Sequence, residues 1–240
     1  MSRLDPARIA GATPAERLAS LRAATEGRIV FTTSFGLEDQ VLTHLIATAG
    51  HDIEIATLDT GRLFPETYET WARTEARYGL RVRAFYPDRA ALEAWVGAHG
   101  IDGFYESRAV RESCCAVRKV EPLGRALAGA AVWVTGLRAG QSAAREAVRL
   151  AAWDEARGLL KVAPLFDWTG AEVAGFAARE AVPVSALHAK GYPSIGCAPC
   201  TRAVAPGEDE RAGRWWWEQG AKECGLHVGD DGRLVRRQAA

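Results

Sequence analysis

The sequence predicts an α/β protein: a parallel twisted sheet with helices on both faces, followed by an irregular C-terminal segment. Three observations lead there. Between Arg28 and Ala181, short β-branched runs alternate with stretches of helical periodicity, the pattern of parallel strands joined by right-handed crossovers. The 240 residues are 48% hydrophobic and 25% charged, which suits one substantial core. Beyond Pro183 the chain becomes rich in Gly, Pro and Trp and loses its periodicity.

Taken in order, residues 14–25 have helical spacing, with Thr13 placed as the N-cap. RIVFTTS (28–34) reads as a buried strand, ended by Gly36. LEDQVLTHLIATAG (37–50) is a helix with a terminal Gly. A second strand covers about 53–58, and Pro65 opens a helix that Gly79 closes. A third strand near Leu80–Tyr86 precedes a helix around Asp88–Ala98. Glu106–Leu127 reads as helical, with Pro122 expected to kink or divide it. AAVWVTG (130–136) is the next strand, and the polar LRAGQSAAREA after it is a loop. Residues 147–162 suit a short hairpin around Glu155–Gly158, and Thr169 caps a helix to about Ala181. A last helix is expected through Arg211–Gln219.

Thirty basic side chains balance thirty acidic ones, so no bulk charge draws the molecule to nucleic acid or a membrane surface. The polar opening shows no signal-like apolar run, and no later stretch has the length of a membrane span. A cytoplasmic, reducing setting is therefore expected. There, five cysteines argue for ligands or reactive groups rather than a disulfide framework.

The cysteines fall as the pair Cys114–Cys115, the Cys-x-x-Cys of Cys197 and Cys200, and Cys224 near the C-terminus. Four converging thiolates suit an iron–sulfur cluster or a structural zinc. Adjacent cysteines on a regular helix diverge by about 100°, so both reach one centre only where the helix is distorted. The plainer alternative is that one or both fill the core. Cys224 lies in a segment of little apolar content, and Lys222, His227, Arg211 and Arg214 supply charge that favours its thiolate, although a spare surface cysteine is the plainer reading of the residue alone. With no sixth cysteine, an adduct formed there needs an external thiol to resolve it.

Two strand-to-helix junctions suit an anion. TTSFGLED places Ser34 and Gly36 at a helix N-terminus, although such a turn also serves as a simple cap. LDTGRLFP places Asp59, Thr60 and Arg62 at the neighbouring strand end, where an Asx-capped turn is an equally good reading. The Walker-type phosphate pattern is absent. Arg202, Arg211 and Arg214 crowd near three consecutive tryptophans, and their guanidinium groups suit phosphate or sulfate.

The runs TSFGLEDQV, LDTGRLFPETY, CCAVRKVEPL, TGLRAGQS, PLFDWT, GYPSIGCAPCTRAVAPGEDERAGRWWWE and ECGLH span residues 33 to 227. Together they resemble the assimilatory adenylyl-sulfate reductases, the cluster-containing branch of the adenosine phosphosulfate and phosphoadenosine phosphosulfate reductase family. The resemblance implies an adenine-nucleotide α-hydrolase-like fold related to the ATP pyrophosphatases, with Ser-Phe-Gly replacing their Ser-Gly-Gly. It also implies that residues 1–205 form the nucleotide-binding α/β domain carrying the iron–sulfur site. Residues 206–240 would form a C-terminal segment, not an independent domain, bearing the catalytic cysteine. A [4Fe-4S] cluster would sit on Cys114, Cys115, Cys197 and Cys200, with Cys224 as nucleophile.

The same resemblance places Lys119, Arg138, Arg211 and Arg214 on the phosphosulfate, His227 near the nucleophile, and Ser34, Gly36, Asp59 and Thr60 beside the nucleotide. Its implied activity is reduction of adenosine 5′-phosphosulfate to sulfite and AMP, with thioredoxin or a similar dithiol as partner and a homo-oligomer as the form of the enzyme. Two alternatives stand beside it: reduction of 3′-phosphoadenosine 5′-phosphosulfate, and a non-catalytic metal-thiolate redox sensor.

Overall fold

The structure, a computed structural model, describes residues 3–142 and 145–219. Helix α1 (Pro14–Ala24) is closed at its start by a reciprocal pair of hydrogen bonds between Thr13 and Glu16. Strand β1 (Arg28–Thr33) leads into α2 (Leu37–Ala49), and β2 (Glu54–Leu58) into α3 (Pro65–Tyr78). The third strand is shorter than expected: β3 covers only Arg83–Phe85, and α4 (Arg89–His99) follows. Next come α5 (Arg108–Cys115), α6 (Glu121–Leu127) and β4 (Ala130–Val134). The hairpin β5 (Ala151–Asp154) and β6 (Leu159–Val162) turns at Gly158, whose φ of 65° suits glycine. Helix α7 (Gly170–Arg179) is capped by Thr169 as its spacing implied.

The six strands lie in the order β3-β2-β1-β4-β6-β5. Every pairing is parallel except that of the edge strand β5 with β6. Strand order reverses at β1, which has β2 on one side and β4 on the other, and the carboxyl ends of β1 and β4 flank the crevice where such sheets bind ligands.

Alternation along β1 sets the two layers. Ile29 and Phe31 join Val132, Val134, Leu160 and Val162 under α1, α2 and α7, through Leu18, Leu21, Leu42 and Val173. Val30 faces the other way with Ala56 and Trp133, against Leu123, Ala126 and Leu127 of α6. No helix among the described residues is long and apolar enough to cross a membrane.

Pro122 does divide its helix, in a specific way. Between α5 and α6 the backbone widens into a π-helical turn, Ala116–Val120, in which the Glu121 N–H reaches back to the Ala116 carbonyl. Proline has no N–H to give the carbonyl four residues back, and its ring crowds that group, so the preceding turn opens. The wide turn begins directly after the cysteine pair and carries Arg118 and Lys119, both buried.

The helix expected through Arg211–Gln219 is absent. Those residues form successive turns, because Arg214 bridges to Thr201 and Trp215 takes a positive φ of 40° that no helix accommodates. Burial of Trp215 offsets that conformation.

Candidate active site

A cleft of about 210 Å³ opens at the reversal of strand order. Ser34, Phe35 and Gly36 form one wall, Lys119 of the π turn reaches in from another, and Ser194–Cys197 with Arg211 and Arg214 complete it. Within the first wall, the Ser34 backbone N–H and hydroxyl both donate to Asp39 Oδ2, at 2.6 and 2.7 Å. Burial pushes Asp39 up to about 6, against the downward pull of those two hydrogen bonds, with Glu38 beside it adding to the rise.

Phe35, not a glycine, carries the left-handed conformation of this turn (φ 59°), and its buried ring stacks on Trp71 at 5.5 Å. Gly36, the residue before α2, has an ordinary φ of −68°. Glycine is required instead at Gly136, where a Cβ would stand 2.2 Å from Asp39 Oδ1. The close approach of β4's end to α2 depends on that missing side chain.

The turn after β2 separates its expected residues. Asp59 Oδ1 accepts from the Gly61 N–H at 2.9 Å and from the Tyr68 hydroxyl at 2.8 Å, which makes it the anchor of an Asx-type turn behind the cleft wall. Thr60 lines the cleft, and its hydroxyl lies 3.3 Å from Cys197 Sγ. Arg62 turns away to Asp102 and the Ile101 carbonyl, both at 2.9 Å. Arg118 donates to the Thr60 carbonyl at 2.7 Å, tying the π turn to this one.

Cys114, Cys115, Cys197 and Cys200 are all buried, free thiols. The first pair ends α5, and the second brackets a single turn at Ala198–Cys200. Cys114, Cys197 and Cys200 pack in one cluster with Trp95, Phe104 and Trp215. Their charge states diverge. Burial pushes the Cys114 thiol up, with Arg118 opposing. Burial and a neighbouring Cys197 charge push Cys200 up to about 12, while Lys119 pulls the other way. Burial also acts to raise Cys197, yet Lys119, the Thr60 hydroxyl, Arg214 and Arg118 together hold it below its ordinary value. Cys197 is therefore the thiol most easily ionised of these three, and it faces the cleft.

Arg211 and Arg214 both line the cleft. Arg214 donates to the Ile195 carbonyl at 3.3 Å and passes so close to Gly196 that a Cβ there would lie 2.2 Å from Nη2. Arg138 takes a different place. It is buried in ion pairs with Glu38 at 2.7 Å and Glu210 at 3.2 Å, bracing the cleft's acidic neighbours from behind. Cys224 and His227 lie outside the described residues.

The structure adds Asp39, Gly136 and Gly196 to the residues that sequence reasoning singled out. Asp39 was signalled by an acid in the first turn of a helix. The two glycines owe their roles to contacts across the fold. Arg118, which beside the cysteine pair reads from sequence as an ordinary solvated helix charge, is buried and reaches over 58 positions to the Thr60 carbonyl.

Fold and cleft together define the class: an α/β protein with a crevice at the reversal of its sheet that is lined by Lys119, Arg211 and Arg214 and backed by a buried group of thiols. A family model described as the phosphoadenosine phosphosulfate reductase domain matches residues 28–203, and the chain belongs to that family. A relative from Sinorhizobium fredii (strain NBRC 101917 / NGR234), named adenosine 5′-phosphosulfate reductase, is 54% identical over 224 residues, covering 93% of this chain and 89% of its own. One of the same name from Allochromatium vinosum is 54% identical over 200 residues, 83% of this chain and 78% of its own.

Among solved structures, phosphoadenylyl-sulfate reductase from Candida auris, in a phosphate complex, superposes with a TM-score of 0.68 at 27% identity, over 80% of this chain and 90% of its own. Candida glabrata FMN adenylyltransferase shares the fold alone, with a TM-score of 0.51 at 17% identity, over 81% of this chain and 67% of its own.

Proposed function

We propose that this chain reduces adenosine 5′-phosphosulfate to sulfite and AMP in a reducing cytoplasm, through a thiosulfonate on Cys224 that thioredoxin or a similar dithiol resolves. The observation that carries the reading is the cleft: Lys119, Arg211 and Arg214 line one crevice with the Ser34–Gly36 turn at the N-terminus of α2. The names and 54% identity of the bacterial relatives support the nucleotide chosen.

In this reading the Cys224 thiolate attacks the sulfur of the sulfate group. The bond to the phosphate oxygen breaks, its electron pair leaves with AMP, and Cys–SO₃⁻ remains. One thiolate of the dithiol then attacks the Cys224 sulfur and expels sulfite. Its second thiol displaces Cys224 from the mixed disulfide, so the dithiol is oxidised by two electrons and Cys224 returns as a thiol. Because AMP departs as a stabilised anion, no strong general acid is needed. The demand is for positive charge, since a thiolate must approach a group that is already negative. Lys119, Arg211 and Arg214 answer it directly, Ser34, Gly36 and Thr60 border the nucleotide, and Asp59 and Arg138 hold the surrounding loops.

The four buried cysteines fit a [4Fe-4S] cluster. The donor set is four thiols among cations, and three buried donors, Arg214 Nε and the indole N–H groups of Trp215 and Trp217, find no acceptor among the described residues. Sulfur-rich anionic surroundings supply such acceptors. Cys114, Cys115, Cys197 and Cys200 would hold the cluster, which when bound supplies a fixed charge distribution beside Lys119, the two electrons coming from the dithiol.

The related structure from Candida auris, a phosphoadenylyl-sulfate reductase, supports a second reading in which a 3′-phosphate is accepted. Sulfite release with thioredoxin, measured for each nucleotide, separates the two. The expected kcat/KM favours adenosine 5′-phosphosulfate by about tenfold or more, a difference of roughly 1.4 kcal/mol in transition-state binding. Equal values or a preference for the 3′-phosphorylated substrate would overturn the assignment.

A further inference from the structure

We propose that the Arg111–Glu218 ion pair is a latch: it holds the root of the segment bearing Cys224 against the cysteine-pair helix, coupling assembly of the thiol centre to placement of the nucleophile. The proposal rests on the reading of Cys224 and the four buried thiols given above. Arg111, on α5, has a fully buried side chain. Its Nε and Nη2 donate to the two carboxylate oxygens of Glu218, each at 2.8 Å, and Glu218 is itself only 8% exposed. The partners are 107 positions apart, so the pair joins two distant parts of the chain.

Further contacts gather at the same place. The Arg111 guanidinium lies over the Trp215 ring at 4.6 Å. Arg214, from the cleft wall, lies over the same ring at 4.7 Å. The Trp215 N–H donates to the Cys200 carbonyl at 3.1 Å, and the Glu218 N–H closes the turn onto the Trp215 carbonyl at 2.9 Å. One short turn thus touches both cysteine-bearing segments and the anion cleft. Cys224 follows Glu218 by six residues, a reach of at most about 20 Å. Where Glu218 is fixed therefore limits where the Cys224 thiol can go.

A buried ion pair adds little net stability compared with an apolar contact of the same volume, but it fixes geometry, since either charge alone is costly to bury. That asymmetry suits a latch. The test uses the full-length holoprotein with Glu218→Gln, the double variant Arg111→Gln/Glu218→Gln, and Glu218→Asp. Three quantities are read: AMP affinity, the rate at which iodoacetamide alkylates Cys224 by peptide mass mapping, and the single-turnover rate of SO₃ transfer to Cys224.

In Glu218→Gln, AMP affinity stays within about twofold, while alkylation of Cys224 quickens and SO₃ transfer slows, each by about tenfold or more. Glu218→Asp, which keeps the charge, recovers part of both. The double variant, with no unpaired charge to bury, decides the matter if the single one fails to fold, and the same changes are expected in it. Alkylation and transfer rates within about twofold of the parent in a folded variant would overturn the latch. Failure of the functional reading shows separately, as a parent protein that forms no adduct, and the alkylation rates still judge the latch.

Discussion

Replacing Cys224 with serine lowers thioredoxin-dependent sulfite formation by about 10⁴-fold or more, while AMP binds as in the parent. A thiol near neutral pH offers a usable fraction of thiolate, and basic neighbours raise it, whereas a serine hydroxyl without an adjacent base offers almost no alkoxide. Losses of this size follow when the nucleophile of a covalent mechanism is removed. The described cleft is built by residues other than Cys224, so its affinity for the nucleotide has no reason to fall. Sulfite release and AMP titration, performed on the same sample, check both halves. A serine variant retaining more than about 1% of the parent rate would mean that another group attacks the sulfur.

Lys119→Ala is expected to cost about 10²- to 10³-fold in kcat/KM, most of it in kcat, with the iron content unchanged. Lys119 is buried, lines the cleft, and bears on Cys197 and Cys200 from the π turn that Pro122 imposes. In the proposed reading its ammonium acts in two directions, toward the incoming sulfate and toward the thiol centre. Arginine is a poor substitute, since its planar fork spreads charge that the ammonium concentrates. Steady-state kinetics beside iron and sulfide analysis provide the check. Unchanged kinetics in an iron-replete variant would remove Lys119 from the mechanism, and loss of iron would assign it to the centre's assembly.

The α/β pattern was legible because each strand and helix announces itself locally. The Thr13 and Thr169 caps, the glycine ends of α2 and α3, and the turn at Gly158 fall where residue type alone places them. Pro122 was legible as a break, although its form, a widened turn that buries Arg118 and Lys119, depends on the packing around it. Arg211–Gln219 failed as a helix because its conformation is dictated from outside. The bridge to Thr201, the bond from Trp215 to the Cys200 carbonyl and the pair with Arg111 all come from elsewhere in the chain.

The site shows the same division. Ser34, Gly36, Thr60, Lys119, Arg211 and Arg214 converge on one cleft as their motifs suggested. Asp59 satisfies a turn and a tyrosine, and Arg138 satisfies two carboxylates, partners that a linear sequence does not display. Arg111 and Glu218 drew no notice in the sequence because nothing local distinguishes them from ordinary surface charges.

The most direct test of the account is an intact-mass spectrum of anaerobically purified protein mixed with adenosine 5′-phosphosulfate and no dithiol. The account predicts a gain of one SO₃, mapped to Cys224 by peptide analysis and removed by reduced thioredoxin with release of sulfite. No adduct on protein with its iron intact, or an adduct on Cys197 instead, would contradict it.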